Sequence, residues 1–166
     1  PRREWHSGLA EVFKHALIRD EVLFDWLEAN LPQVISRHPG IVTDLVYRAA
    51  SVKAAVVSRD ELEHGERMIL NFGHTFGHAL ENVLGYGVLT HGEAIIIGMR
   101  AALQMSRRFH SHLDQARVEQ VLRQIPVPPL PSPLGSFEVR KAMTADKKRD
   151  QALLRFILLK RIGKAY

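Results

Sequence analysis

The stretch Leu70-Asn71-Phe72-Gly73-His74-Thr75-Phe76-Gly77-His78-Ala79-Leu80-Glu81 constrains this chain more tightly than any other. It sets two imidazoles four residues apart and two glycines four apart. In a helix, residues i and i+4 stack on one face, so both histidines look at one point, while Gly73 and Gly77 let another backbone or a ligand come close. Asn71, three before His74 and seven before His78, falls on the same face, and so does Glu81. Imidazoles at this spacing suit a metal ion, although helical histidine pairs also occur as solvated or core residues.

The flanking sequence predicts more helix. Ser7 is a candidate cap for a helix through Leu9, Val12, Phe13, Ala16 and Leu17, with Glu11 and Lys14 three apart on it, a spacing that also suits a plain solvated ion pair. A second amphipathic segment runs from Asp20 to Leu31 on Val22, Leu23, Trp26 and Leu27, and Pro32 closes it. A third spans Ile41 to Arg59, with Lys53 on the edge of its apolar stripe, where a lysine either snorkels to water or reaches into a cleft for an anion. The His74 helix ends at Leu84, with Gly85 as a left-handed cap. Thr90-His91-Gly92-Glu93 reads as a capping box that opens a helix to Phe109. This puts His91 at the first helical position, where the helix dipole keeps its lone pair free. That helix is apolar on most faces of its first two turns, as expected of a central element.

Asp114 caps a further helix, and a proline-rich connection follows from Pro126 to Pro133. Ser136 starts a short helix that ends at Ala145-Asp146, with Lys147 and Lys148 in a turn. Ala152 to Leu159, bounded by turn residues and Gly163, reads as a strand in a hairpin. The expected fold is mainly α: one multihelical domain over residues 1–166 with a small β-hairpin near the C-terminus.

Composition removes several function classes. With 166 residues, 46% hydrophobic and 25% charged, the chain can bury its own core. It contains no cysteine, which excludes disulfides and thiolate chemistry. No apolar run approaches the roughly 18 residues of a membrane span, and no signal-like segment opens the chain, so a cytoplasmic location without membrane partners is expected. The net charge of +5 is scattered apart from Lys147-Lys148-Arg149 and no nucleic-acid module is recognised, which leaves an anionic small substrate or merely a basic surface.

Among the nine histidines, His38, His64, His110 and His112 fall in loops or polar stretches. Glu11, His74 and His91 come from three different helices and would supply one oxygen and two nitrogens with an open position, the pattern of a catalytic zinc. By spacing alone, His74, His78 and Glu81 serve equally well.

The segments 7–14 (Ser-Gly-Leu-Ala-Glu-Val-Phe-Lys), 67–81 (Arg-Met-Ile-Leu-Asn-Phe-Gly-His-Thr-Phe-Gly-His-Ala-Leu-Glu), His91-Gly92-Glu93-Ala94, Gly98-Met99, Asp146-Lys147-Lys148 and the closing run to Leu159 with Ile162-Gly163 resemble those of 3-dehydroquinate synthases. The likeness extends over essentially the whole chain, yet covers only the C-terminal half of the family's usual length. The N-terminal half, a Rossmann-like domain whose glycine-rich loop holds NAD, has no counterpart here.

The resemblance implies conversion of a phosphorylated keto acid, 3-deoxy-arabino-heptulosonate 7-phosphate, into 3-dehydroquinate and phosphate in the shikimate route. NAD transiently oxidises a ring hydroxyl, phosphate is eliminated, the ketone is reduced again, and the ring recloses by an aldol step. It implies zinc, or another divalent metal such as cobalt, on Glu11, His74 and His91. Lys53 and Arg67 would contact the substrate carboxylate, and Asn71, His78 and Lys147 (or Lys148) the phosphate end. Lys14 would sit by the reacting ring, giving Lys14, His78 and Lys53 as the catalytic candidates. The full-length enzyme is expected to be a homodimer, and the present chain alone to fold and bind zinc weakly without turning over. A related cyclase such as a 2-deoxy-scyllo-inosose synthase would share the zinc set, but Lys53 and Arg67 together argue for an acid substrate. A zinc-stabilised module without activity would need a fourth protein ligand.

Overall fold

The computed structural model describes residues 1–63, 65–85, 87–130, 135–147 and 154–166, with side chains in the last helix described through Thr144. Its elements are α1 (Arg2–Arg19), α2 (Glu21–Ser36), α3 (Pro39–Arg59), a 3-10 helix (Glu66–Asn71), α4 (His74–Leu84), α5 (His91–Phe109), α6 (Gln115–Leu122), α7 (Ser136–Lys147), β1 (Leu159–Arg161) and β2 (Lys164–Ala165). The expected multihelical fold with a terminal hairpin is what forms. No helix among the described residues is long and apolar enough to cross a membrane.

Two helices form the middle of the bundle. On α1, Leu9, Ala10, Phe13, Ala16, Leu17 and Ile18 are all buried. These positions wrap most of the helix, so α2, α3, α5 and the hairpin can all pack on it. On α5, Ala94, Ile95, Ile96, Met99, Ala102 and Leu103 are likewise buried, between α1, α4 and α6.

Several boundaries differ from the sequence reading. Helix α1 starts at Arg2, so Ser7 is not its cap; the Ser7 hydroxyl instead accepts from the Gly92 amide at 3.0 Å, tying α1 to the start of α5. Helix α2 runs through Pro32 to Ser36 and ends at Arg37, whose φ of 61° is left-handed. Proline inside a helix costs about 3 kcal/mol. Leu31 and Val34 on either side are buried, and each contributes about 1.5–3 kcal/mol, enough to carry the helix past it. Asn71 lies in the 3-10 helix and Gly73, at φ +80°, breaks the chain before α4, so Asn71 shares no helical face with His74 and His78. Gly85 has φ 84° and ψ 146°, a positive-φ stop but not a left-handed cap.

Helix α7 includes Lys147, which is therefore helical and not in a turn; its side chain and all of Lys148 lie outside the described residues. The hairpin starts only at Leu159. Residues 154–158 are irregular, and 151–153 lie outside the described residues. Two bonds fix this position: Leu159 donates its amide to the buried Ser106 Oγ at 2.9 Å, and Gly163 donates to the Leu17 carbonyl at 2.9 Å.

The Thr90 capping box forms as read, with the Glu93 amide donating to Thr90 Oγ1 and the Thr90 amide to Glu93 Oε2. Asp114 caps α6 by accepting from the Arg117 amide at 3.0 Å.

Candidate metal and substrate site

Three helices meet at one point because two glycines on α5 leave no side chain in the way. A Cβ on Gly92 would lie 2.1 Å from the Ser7 carbonyl oxygen, and one on Gly98 would lie 2.0 Å from that of Gly73. Both obstacles are backbone, so α1 and the start of α4 rest directly on α5. That contact brings Glu11, His74 and His91 together.

His74 Nε2 lies 3.6 Å from Glu11 Oε1, and His91 Nε2 lies 3.9 Å from the same oxygen. The remaining ring atoms fix which nitrogens carry protons. His74 Nδ1 is 3.2 Å from the Phe72 carbonyl, which can only accept, so Nδ1 carries the hydrogen and Nε2 presents a lone pair. His91 Nδ1 is 3.3 Å from the Glu81 carboxylate, with the same consequence. Two imidazole lone pairs therefore face the Glu11 carboxylate oxygen. Glu11 Oε1 is buried with no hydrogen-bond partner among the described residues. Buried acceptors left this way are costly unless a cation sits between them. Donors about 2.1 Å from a tetrahedral zinc lie about 3.4 Å apart, close to the separations here. The donor set fits a divalent metal of the zinc type.

The electrostatics agree. Lys14, 3% exposed, donates to the other Glu11 oxygen at 2.6 Å. Burial pushes the Glu11 carboxyl up, but the Lys14 charge and hydrogen bond, helped by His74, hold it below the usual carboxylate range. Burial lowers the Lys14 ammonium, and Glu11 only partly opposes this. Burial, with the nearby Lys14 charge, takes His74 down to about 4. A neutral imidazole beside an ionised carboxylate is the protonation state a metal requires.

A cavity of about 890 Å³ opens beside this point, lined among others by Asn71, His74, His78, Glu81 and His91. Ring nitrogens of His74, His78 and His91 lie within 4.8 Å of one another, so His78 makes a second convergent set that shares two members with the first. Its ring centroid is 5.3 Å from that of His74. Asn71 Nδ2 donates to Glu63 Oε1 at 2.9 Å.

Lys53 and Arg67 do not line this cavity among the described residues. Lys53 is exposed on α3, near enough for its charge to lower Lys14 and His15. The Arg67 guanidinium donates to the Glu61 carbonyl at 2.7 Å and lies 3.9 Å from Glu63.

The sequence reading gave no role to Arg155, Phe156 and Tyr166, which also line the cavity. Arg155 and Phe156 stand inside one of the motifs it quoted, which was the only available signal.

Residues 8–149 match the family model described as 3-dehydroquinate synthase C-terminal. The chain belongs to the 3-dehydroquinate synthase family. A 3-dehydroquinate synthase of Salinibacter ruber is 49% identical over 168 aligned residues, covering 100% of this chain and 46% of its own length. This member of the family thus spans about half the length of that relative. Among solved structures, a 2-epi-5-epi-valiolone synthase from Streptomyces hygroscopicus subsp. jinggangensis, with NAD+ and Zn2+ bound, superposes with a TM-score of 0.86 at 28% identity, over 99% of this chain and 47% of that one. A 2-deoxy-scyllo-inosose synthase complexed with carbaglucose-6-phosphate, NAD+ and Co2+ gives 0.85 at 28% identity, over 100% and 47%. The helical fold is thus that of the 3-dehydroquinate synthase-like sugar phosphate cyclases, and the named relatives of this family member are lyases.

Proposed function

We propose that these residues form the metal- and substrate-binding half of a 3-dehydroquinate synthase, acting on 3-deoxy-arabino-heptulosonate 7-phosphate with NAD held by the other half. The observation that carries the reading is the buried Glu11 Oε1, without a hydrogen-bond partner among the described residues, facing the Nε2 atoms of His74 and His91, within a family match over residues 8–149.

Glu11, His74 and His91 would hold a divalent metal, which when bound supplies a Lewis acid for neighbouring hydroxyls. Glu81 and the Phe72 carbonyl keep the two imidazoles turned the right way. Lys14 holds Glu11 ionised, and its lowered proton affinity suits Nζ to exchanging a proton beside the reacting ring. His78, in the same cavity, offers a ring nitrogen that can hold a proton near the departing phosphate. Asn71, which lines the cavity, and Lys147 would serve the phosphate end; Lys53 and Arg67, the expected carboxylate contacts, stand outside the cavity lining among the described residues and would have to reach in from its margin.

The nearest competing reading is another sugar phosphate cyclase. The 49% identity to a 3-dehydroquinate synthase, against 28% to the two cyclases, favours the first. Zinc analysis of the loaded and desalted chain should find about one equivalent, lost in Glu11→Ala, His74→Ala and His91→Ala. Stoichiometric zinc in all three variants would reject the site. Calorimetry should show the keto-acid phosphate binding more tightly than a hexose 6-phosphate without a carboxylate; equal affinity would favour a different cyclase.

A further inference from the structure

Arg155 sits on the irregular stretch before β1, which the bundle holds firmly in place. The Thr75 hydroxyl, one residue after His74, donates to the Arg155 main-chain carbonyl at 3.2 Å. The Phe156 ring packs on Phe76 of α4 with centroids 5.2 Å apart. Leu158 and Tyr166 exchange two backbone hydrogen bonds just beyond, at 3.1 and 2.9 Å. The Arg155 backbone is therefore fixed to the same turn that carries His74.

Its side chain lines the cavity that the three imidazoles line. Among the described residues the guanidinium is under-used: Nη1 meets the thioether sulfur of Met68 at 3.5 Å, a weak acceptor. Other arginines pair with carboxylates, as Arg3 does with Glu93, Arg100 with Glu119, Arg117 with Glu28 and Arg161 with Glu21. A guanidinium presents a rigid fork of donors that matches a carboxylate or phosphate two bonds at a time. In a cavity lined by the Glu81 carboxylate and three imidazoles, it is the cation best shaped for a ligand oxyanion.

We propose that Arg155 is a substrate-binding residue that takes an anionic group of the ligand, phosphate or carboxylate, in the cavity that the histidines line. This rests on the cavity being the substrate site, as argued above. Arg155 is exposed and its Thr75 bond uses the main chain, so substitution leaves the anchor intact.

The test is isothermal titration of the zinc-loaded, desalted chain with inorganic phosphate and, separately, with acetate, for wild type, Arg155→Lys and Arg155→Gln. Loss of a charge-assisted contact should weaken binding of one anion about tenfold in Arg155→Gln and less in Arg155→Lys. Zinc content and melting temperature should stay at the wild-type values. A larger loss for phosphate places Arg155 at the phosphate end, and a larger loss for acetate at the carboxylate end; both support the assignment. Wild-type affinity for both anions in Arg155→Gln, or no anion binding by the wild type, overturns it. Because zinc is read separately, a chain that holds zinc but is indifferent to Arg155 refutes this inference and leaves the metal site standing.

Discussion

A metal ligand is only as good as the group that orients it. Glu81 accepts from His91 Nδ1 and so sets which nitrogen faces the site. Glu81→Ala should weaken zinc binding about 10- to 100-fold. Glu81→Gln, which keeps an acceptor, should restore most of it. Competition with a chromophoric chelator gives the affinities, and nitrogen chemical shifts of His91 report the tautomer. Unchanged affinity in Glu81→Ala would show that His91 is oriented without it. At this scale the sequence was partly legible: it named Glu81 as a member of the histidine face but offered it as a rival ligand. Choosing between those roles needs the position of His91, ten residues away on another helix.

Among the elements, α5 decides the site. Its glycines at 92 and 98 let two backbones come within contact distance, and neither backbone can swing aside as a side chain would. Gly98→Ala should therefore cost about 1–3 kcal/mol, as overpacking does, and reduce zinc affinity by shifting α4 against α5. Gly8→Ala is the matched control: it lies in α1 with nothing within 4 Å of the added carbon, and it should be neutral or stabilising by up to about 1 kcal/mol. Urea unfolding of both variants checks this, and equal stabilities would show that the close approach is slack. The element-level reading of the sequence held where periodicity and caps were strong, as at α3, α5 and α6. It failed at Pro32, Ser7 and Gly73, where burial of neighbours, a contact to another helix or a local break outweighed the local signal.

For the whole molecule, acid should be destabilising well before the carboxylates titrate. His15 is buried, with neither ring nitrogen hydrogen-bonded among the described residues, and burial takes it from 6.5 to about 4; His74 is lowered to a similar value. Above about pH 6.5 these rings are neutral in folded and unfolded chains alike and add no pH dependence. Below it the unfolded rings take up protons that the folded ones refuse until about pH 4, so stability falls as pH drops across that window. Glu11 and Glu93, both lowered, extend the loss further into acid. The urea midpoint of the metal-free chain should decline from pH 6.5 to 4, and less steeply in His15→Phe. A flat profile would mean these rings protonate in place.

The sequence by itself determined that the chain is helical, that a capping box opens α5 at His91, and which residue types could hold a cation. These follow from spacing and local chemistry, which every short window of the chain carries. Only the tertiary structure decided that Glu11 Oε1 is buried without a hydrogen-bond partner among the described residues, that two backbones press on α5 at its glycines, and that Arg155 lines the same cavity as the histidines. Such facts join residues on different elements, and no local pattern encodes how helices will pack once their apolar faces are buried.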